Sequence, residues 1–154
     1  TDLSVVTEEY IHIDNYSPIQ YQIELALSTD EESNIIIFVY KPMFSTLTIQ
    51  KSGSEDIDEN QTFIFRVKGK DTDENTKNID LTVTVHGNSQ TTVSELPVGE
   101  YTVEEVTSWS WRYTPDEIKK TVDVVAGGSS VLFKNERTED KWLNGDNYSV
   151  NIFK

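Results

Sequence analysis

The chain has 154 residues, with 27 acidic against 13 basic side chains, a formal net charge of -14 and no cysteine. Such charge repels phosphates and anionic membrane surfaces, so nucleic acid is not an expected partner. The missing thiols exclude disulfides, thiolate metal sites and a cysteine nucleophile. No apolar run is long enough to span a membrane, and TDLSVVTEEY lacks the basic start and apolar stretch of an export signal. No membrane insertion is expected within this region, and any signal or anchor is expected outside it.

In chain order, the first 45 residues are β-like. YIHI at 10–13, IQYQIELAL at 19–27 and NIIIFVY at 34–40 are expected strands, with an acidic STDEESN stretch between the last two. This part reads as an N-terminal β segment or the end of a preceding module. From residue 46 the strands are expected at 46–51, 61–68, 79–86, 90–95, 99–106, 119–125 and 130–135. Valine, isoleucine, threonine, tyrosine and phenylalanine alternate there at period two, and Gly87-Asn88 and Gly127-Gly128 supply turns. PDEIKK at 115–120 is a helix candidate too short to prefer over a loop. The expected fold class is all-β: an immunoglobulin-like β-sandwich over 46–138, an additional N-terminal β segment over 1–45, and a C-terminal tail strand within 139–154 that includes DNYSVNIFK.

Three distant strands carry one constellation. Leu47, Ile49 and Lys51 share an inward row, as do Tyr101, Val103 and Glu105, and Val131, Phe133 and Asn135. A lone lysine at the end of such a row usually snorkels to the surface. An amine, an acid and an amide in equivalent positions are different, because burying them without mutual contacts costs several kcal/mol. Phe63, Phe65, Tyr101 and Phe133 are the aromatic neighbours expected to dry the site, and an apolar interior favours the uncharged forms of an amine and an acid. The Lys51 amine then attacks the Asn135 side-chain carbonyl, Glu105 polarises that carbonyl and shuttles protons, and ammonia leaves. This runs once per molecule, so the chain is not expected to be a turnover enzyme. Glu104 is the competing acid, and strand alternation with Tyr101 and Val103 selects Glu105.

TLTIQKSG, FIFRVKG, LPVGEYTVEEV and VLFKNERT together resemble the Cna protein B-type domain of Gram-positive surface adhesins and pilins, over residues 46–138. In that family the first-strand lysine, the glutamate ending the box around YTVEE and the last-strand asparagine form an isopeptide. The resemblance implies the same roles for Lys51, Glu105 and Asn135. Val103 stands where leucine is commoner. WSWRYTP at 109–115 is similar to the segment following this box in pilin-like surface proteins of gut Firmicutes. The resemblance further implies a secreted structural or adhesive module at the cell surface or cell wall of a Gram-positive bacterium. Its partners would be neighbouring modules of the same protein, with host or glycan ligands open through the loops. An alternative within the same fold leaves Lys51 and Glu105 as a plain buried ion pair.

Trp109, Trp111 and Tyr113 are a candidate aromatic platform for sugars, which gives a rival function: a carbohydrate-binding module of a secreted protein. The blander expectation is that one tryptophan plugs the end of the sandwich and Arg112 turns away. Asp56, Asp58, Asn60 and Asp71, Asp73, Asn75 follow a DxDxN pattern but lack the glycine and closing glutamate of a calcium loop, so they read as solvated loops. His12 and His86 stand alone. No metal and no cofactor is expected.

Overall fold

In the computed structural model the chain divides into two compact units, Thr1–Met43 and Phe44–Lys154. The structure describes residues 4–53 and 57–138. The expected tail strand within 139–154 lies outside the described residues.

In the first unit β1 (Val5–Glu9) pairs antiparallel with β3 (Gln22–Ala26), and β2 (Tyr16–Pro18) with β4 (Tyr40–Pro42). Residues 10–13, expected as a strand, instead lead into a turn. The Tyr40 hydroxyl donates to the Ile11 carbonyl at 2.6 Å, the Tyr10 and Tyr21 rings meet edge to face at 5.3 Å, and Asn15 takes a φ of 67°. Asparagine tolerates that left-handed conformation better than most residues. The tetrapeptide around it, DNYS, occurs again at 146–149. Of the expected strand at 34–40 only Tyr40 lies in a strand. Ile35, Ile37 and Val39 are exposed; alternation alone does not make a strand, and among the described residues no strand pairs with 34–39.

The second unit is the sandwich. Its strands are β5 (Phe44–Gly53), β6 (Thr62–Gly69), β7 (Asp80–His86), β8 (Gln90–Pro97), β9 (Gly99–Glu105), β10 (Tyr113–Pro115), β11 (Lys119–Val124) and β12 (Ser129–Arg137). One four-stranded sheet has the order β10-β12-β5-β8 and the other β11-β9-β6-β7. All pairings are antiparallel except β5 with β12, the first and last strands, which run parallel side by side. The seven expected strands from residue 46 onward coincide with observed ones to within two residues at each end. The eighth, β10, is three residues long and closes on a proline, so it has neither the length nor the alternation to announce itself. PDEIKK forms no helix: it runs from the end of β10 into the start of β11.

The core lies between the sheets. Leu47, Ile49 and Phe133 face Phe63, Phe65, Val67, Tyr101 and Val103, all wholly buried, and each such side chain contributes about 1.5–3 kcal/mol through burial. At the end of β6 the backbone of the following loop passes so close that a Cβ on Gly69 would lie 1.9 Å from the Thr76 carbonyl oxygen. Gly69→Ala is therefore expected to destabilise the sandwich by about 1–3 kcal/mol. A thermal melt should show the midpoint falling by about 4–8 °C for each kcal/mol lost.

Candidate functional site

Lys51 closes the inward row of β5, and its side chain is fully buried. In the parallel ladder it pairs with Phe133, and Gly53 pairs with Asn135, so Asn135 is the diagonal neighbour of Lys51 on the same face. Glu105 ends β9 in the opposite sheet and reaches across the core. Its Oε2 accepts from Lys51 Nζ at 2.6 Å and its Oε1 accepts from Asn135 Nδ2 at 2.7 Å. One carboxyl thus spans two nitrogen atoms from adjacent strands. Glu104 sits on the other face, in register with Lys119 on one side and Arg66 on the other.

The surroundings are apolar. Lys51 Nζ lies 4.3 Å from the centre of the Phe63 ring and 5.5 Å from that of Phe65, and Phe65 packs on Phe133 at 4.9 Å. Burial pushes the Lys51 amine below its ordinary value of 10.5, although the hydrogen bond and charge of Glu105 pull the other way. Asn135 Oδ1 is buried with no hydrogen-bond partner among the described residues. An unmet acceptor of this kind costs about 1–3 kcal/mol, so the arrangement is poorly made as a purely structural polar cluster.

Sequence reasoning missed Ser110, which is buried and whose hydroxyl donates to Glu105 Oε1 at 3.4 Å. The signal was alternation: a small polar residue between two outward tryptophans. Trp109 is 72% exposed and Trp111 44%, so neither plugs the sandwich. Arg112 does not turn away either, since its guanidinium lies 5.0 Å over the Trp111 ring. Tyr113 does not join them at the surface. It is only 5% exposed, meets Phe63 edge to face at 5.4 Å, and its hydroxyl accepts from the Asp58 amide. The short strand β10, antiparallel to β12, turns this ring inward.

The acidic loops are tied to themselves. Asp58 and Asp73 each accept from a backbone amide two residues on, Asn60 and Asn75, and Asp71 pairs with Lys68; Asp56 lies outside the described residues. His12 contacts Asp14, and His86 contacts Thr62. No helix among the described residues is long and apolar enough to cross a membrane.

A depressed lysine has a definite linkage sign. The folded chain binds fewer protons than the unfolded one between the lowered value and 10.5, so the contribution of Lys51 to stability grows as pH rises through that window. With Asn135→Ala keeping the amine free, denaturant titrations should show that variant gaining stability over the Lys51→Met/Asn135→Ala double variant from neutral pH toward 10.5. A difference that is flat or falls with pH would contradict a desolvated amine.

No curated protein matches this chain. Among solved structures, the Bacillus anthracis TIE protein is similar at a TM-score of 0.52 and 24% identity, over 76% of this chain and 20% of that one. The minor pilin of Streptococcus agalactiae aligns at a TM-score of 0.49 and 15% identity, over 94% of this chain and 65% of that one. The major pilin subunit of Bacillus cereus aligns at 0.47 and 14%, over 71% and 36%. The chain therefore spans about a fifth of the first of these, and the likeness to it is one of fold. A family model described as "Domain of unknown function (DUF5979)" matches residues 46–141. That stretch is the sandwich with its first and last strands and makes up more than half of the sequence, so the chain belongs to this family.

Proposed function

We propose that the chain is a structural or adhesive module of a bacterial surface protein of the pilin-like, Cna B-type kind, whose sandwich is closed by an amide bond between Lys51 and Asn135. The observation that carries this reading is the wholly buried carboxyl of Glu105 between the two nitrogen atoms that the reaction must deprotonate and protonate. With the shared proton on Glu105, Lys51 is a free amine. The Nζ–Cγ bond forms, the Cγ–Nδ2 bond breaks, and Nδ2 leaves as ammonia. Glu105 takes a proton from the attacking nitrogen through Oε2 and delivers one to the leaving nitrogen through Oε1, ending as it began. Dry walls and fixed geometry replace turnover. The module is then not an enzyme, and it works at the surface of a Gram-positive cell beside neighbouring modules of the same protein.

The bond would join the first and last strands of the sandwich. By analogy with a disulfide closing a loop of this length, it stabilises by about 4–5 kcal/mol. The intact purified chain should be lighter than its sequence by one ammonia. Lys51→Ala, Asn135→Ala and Glu105→Ala should each keep the full mass, and the first two should melt well below the parent. A full-mass parent chain refutes the cross-link and leaves a buried ion pair.

A second reading rests on the exposure of Trp109 and Trp111 beside Arg112: a sugar-binding face on the same module. Glycan binding by the parent, lost in a folded Trp111→Ala variant, supports it. Binding by neither protein removes it.

A further inference from the structure

Between Leu132 and Lys134, just ahead of Asn135, β12 has an edge that its neighbour β10 does not cover. The β10 ladder pairs Tyr113, Thr114 and Pro115 with Arg137, Glu136 and Asn135 and stops there. The next residues do something else. The Asp116 amide donates to the Lys134 carbonyl at 2.7 Å, and the Lys134 amide donates to Asp116 Oδ1 at 3.1 Å. Lys120 Nζ donates to Asp116 Oδ2 at 2.6 Å and to the Leu132 carbonyl at 2.8 Å, and stands 5.0 Å from the Phe133 ring. Lys120 belongs to β11, the edge strand of the opposite sheet.

We propose that Asp116 and Lys120 are positioning residues for amide formation: a clasp across the open side of the sandwich that holds β12 in register, presents Asn135 to Lys51 and sets the charge beside the dry site. This rests on the cross-linking reading above. Each of the three residues before Asn135 is gripped, two through backbone groups and Phe133 through its ring, which also packs on Phe65. The Lys120 side chain is 17% exposed, far below an ordinary surface lysine, and so closes the gap with its stem. Burial opposes ionisation of Asp116, but Lys120 and the amides of Lys134 and Glu117 outweigh it and hold the carboxyl below the usual carboxylate range. The clasp is therefore an ion pair at neutral pH.

The charged groups that act on Lys51 are Glu105 from β9, Asp116 from the β10–β11 connection and Lys120 from β11. The two clasp residues act in opposite directions: Asp116 favours the ammonium form and Lys120 the free amine. The full chain and the variants Asp116→Asn, Lys120→Met and Lys119→Met are refolded from denaturant over a range of pH, and loss of ammonia is followed by intact mass. Both clasp variants are expected to cross-link several-fold more slowly than the parent. The pH at which the rate rises should move down in Asp116→Asn and up in Lys120→Met, while Lys119→Met on the outer face behaves as the parent. Parent-like rates in the clasp variants overturn the proposal, as does slowing with no opposite movement of the pH profile, since that marks a structural role alone. A parent chain that never loses ammonia overturns the cross-linking reading itself, a result separate from either.

Discussion

A carboxyl group held in an apolar core between an amine and an amide is the contact on which the rest of the sandwich turns. Glu105 comes from one sheet, Lys51 and Asn135 from the other, and the 2.6 and 2.7 Å hydrogen bonds tie the layers at a point where only apolar packing would otherwise act. Removing one partner from such a contact leaves a buried polar group unsatisfied, at about 1–3 kcal/mol. The aromatic rings of Phe63, Phe65 and Phe133 make the contact strong by excluding water, and they would make it costly if it were incomplete. The unmet Asn135 oxygen shows that it is incomplete as a set of hydrogen bonds.

Topology gives that contact mechanical meaning. The strands that carry Lys51 and Asn135 are the first and last of the unit, and they lie parallel and adjacent. Tension entering along β5 and leaving along β12 loads their shared ladder. A covalent bond at Lys51 and Asn135 would carry that load directly from one to the other, so the intervening strands need not unfold under it. Closing a loop of that length also restricts the unfolded chain, which suits a small sandwich with no cysteine for disulfides.

Much of this was legible in the sequence because period-two alternation is strong where two faces differ. Leu47, Ile49 and Lys51 form one inward row and Tyr101, Val103 and Glu105 another, and spacing alone separated Glu105 from Glu104. What escaped was set by contacts distant in sequence. Tyr113 looked like a companion of Trp109 and Trp111, but β10 pairs with β12 and turns its ring inward beside Phe63. Asp116 stood in a segment read as a loop and Lys120 in the expected strand 119–125, and only the uncovered edge of β12 shows what they grip. In the first unit, apolar alternation at 34–40 promised a strand, but among the described residues only Tyr40 at its end enters a ladder, and Ile35, Ile37 and Val39 are exposed.

The most direct test of a welded first and last strand is peptide mapping of the folded chain by proteolysis and tandem mass spectrometry. The account predicts one branched peptide in which the segment holding Lys51 is joined through its side chain to the segment holding Asn135, and its loss in Asn135→Ala. Recovery of only linear peptides, with Lys51 and Asn135 both unmodified, would contradict it.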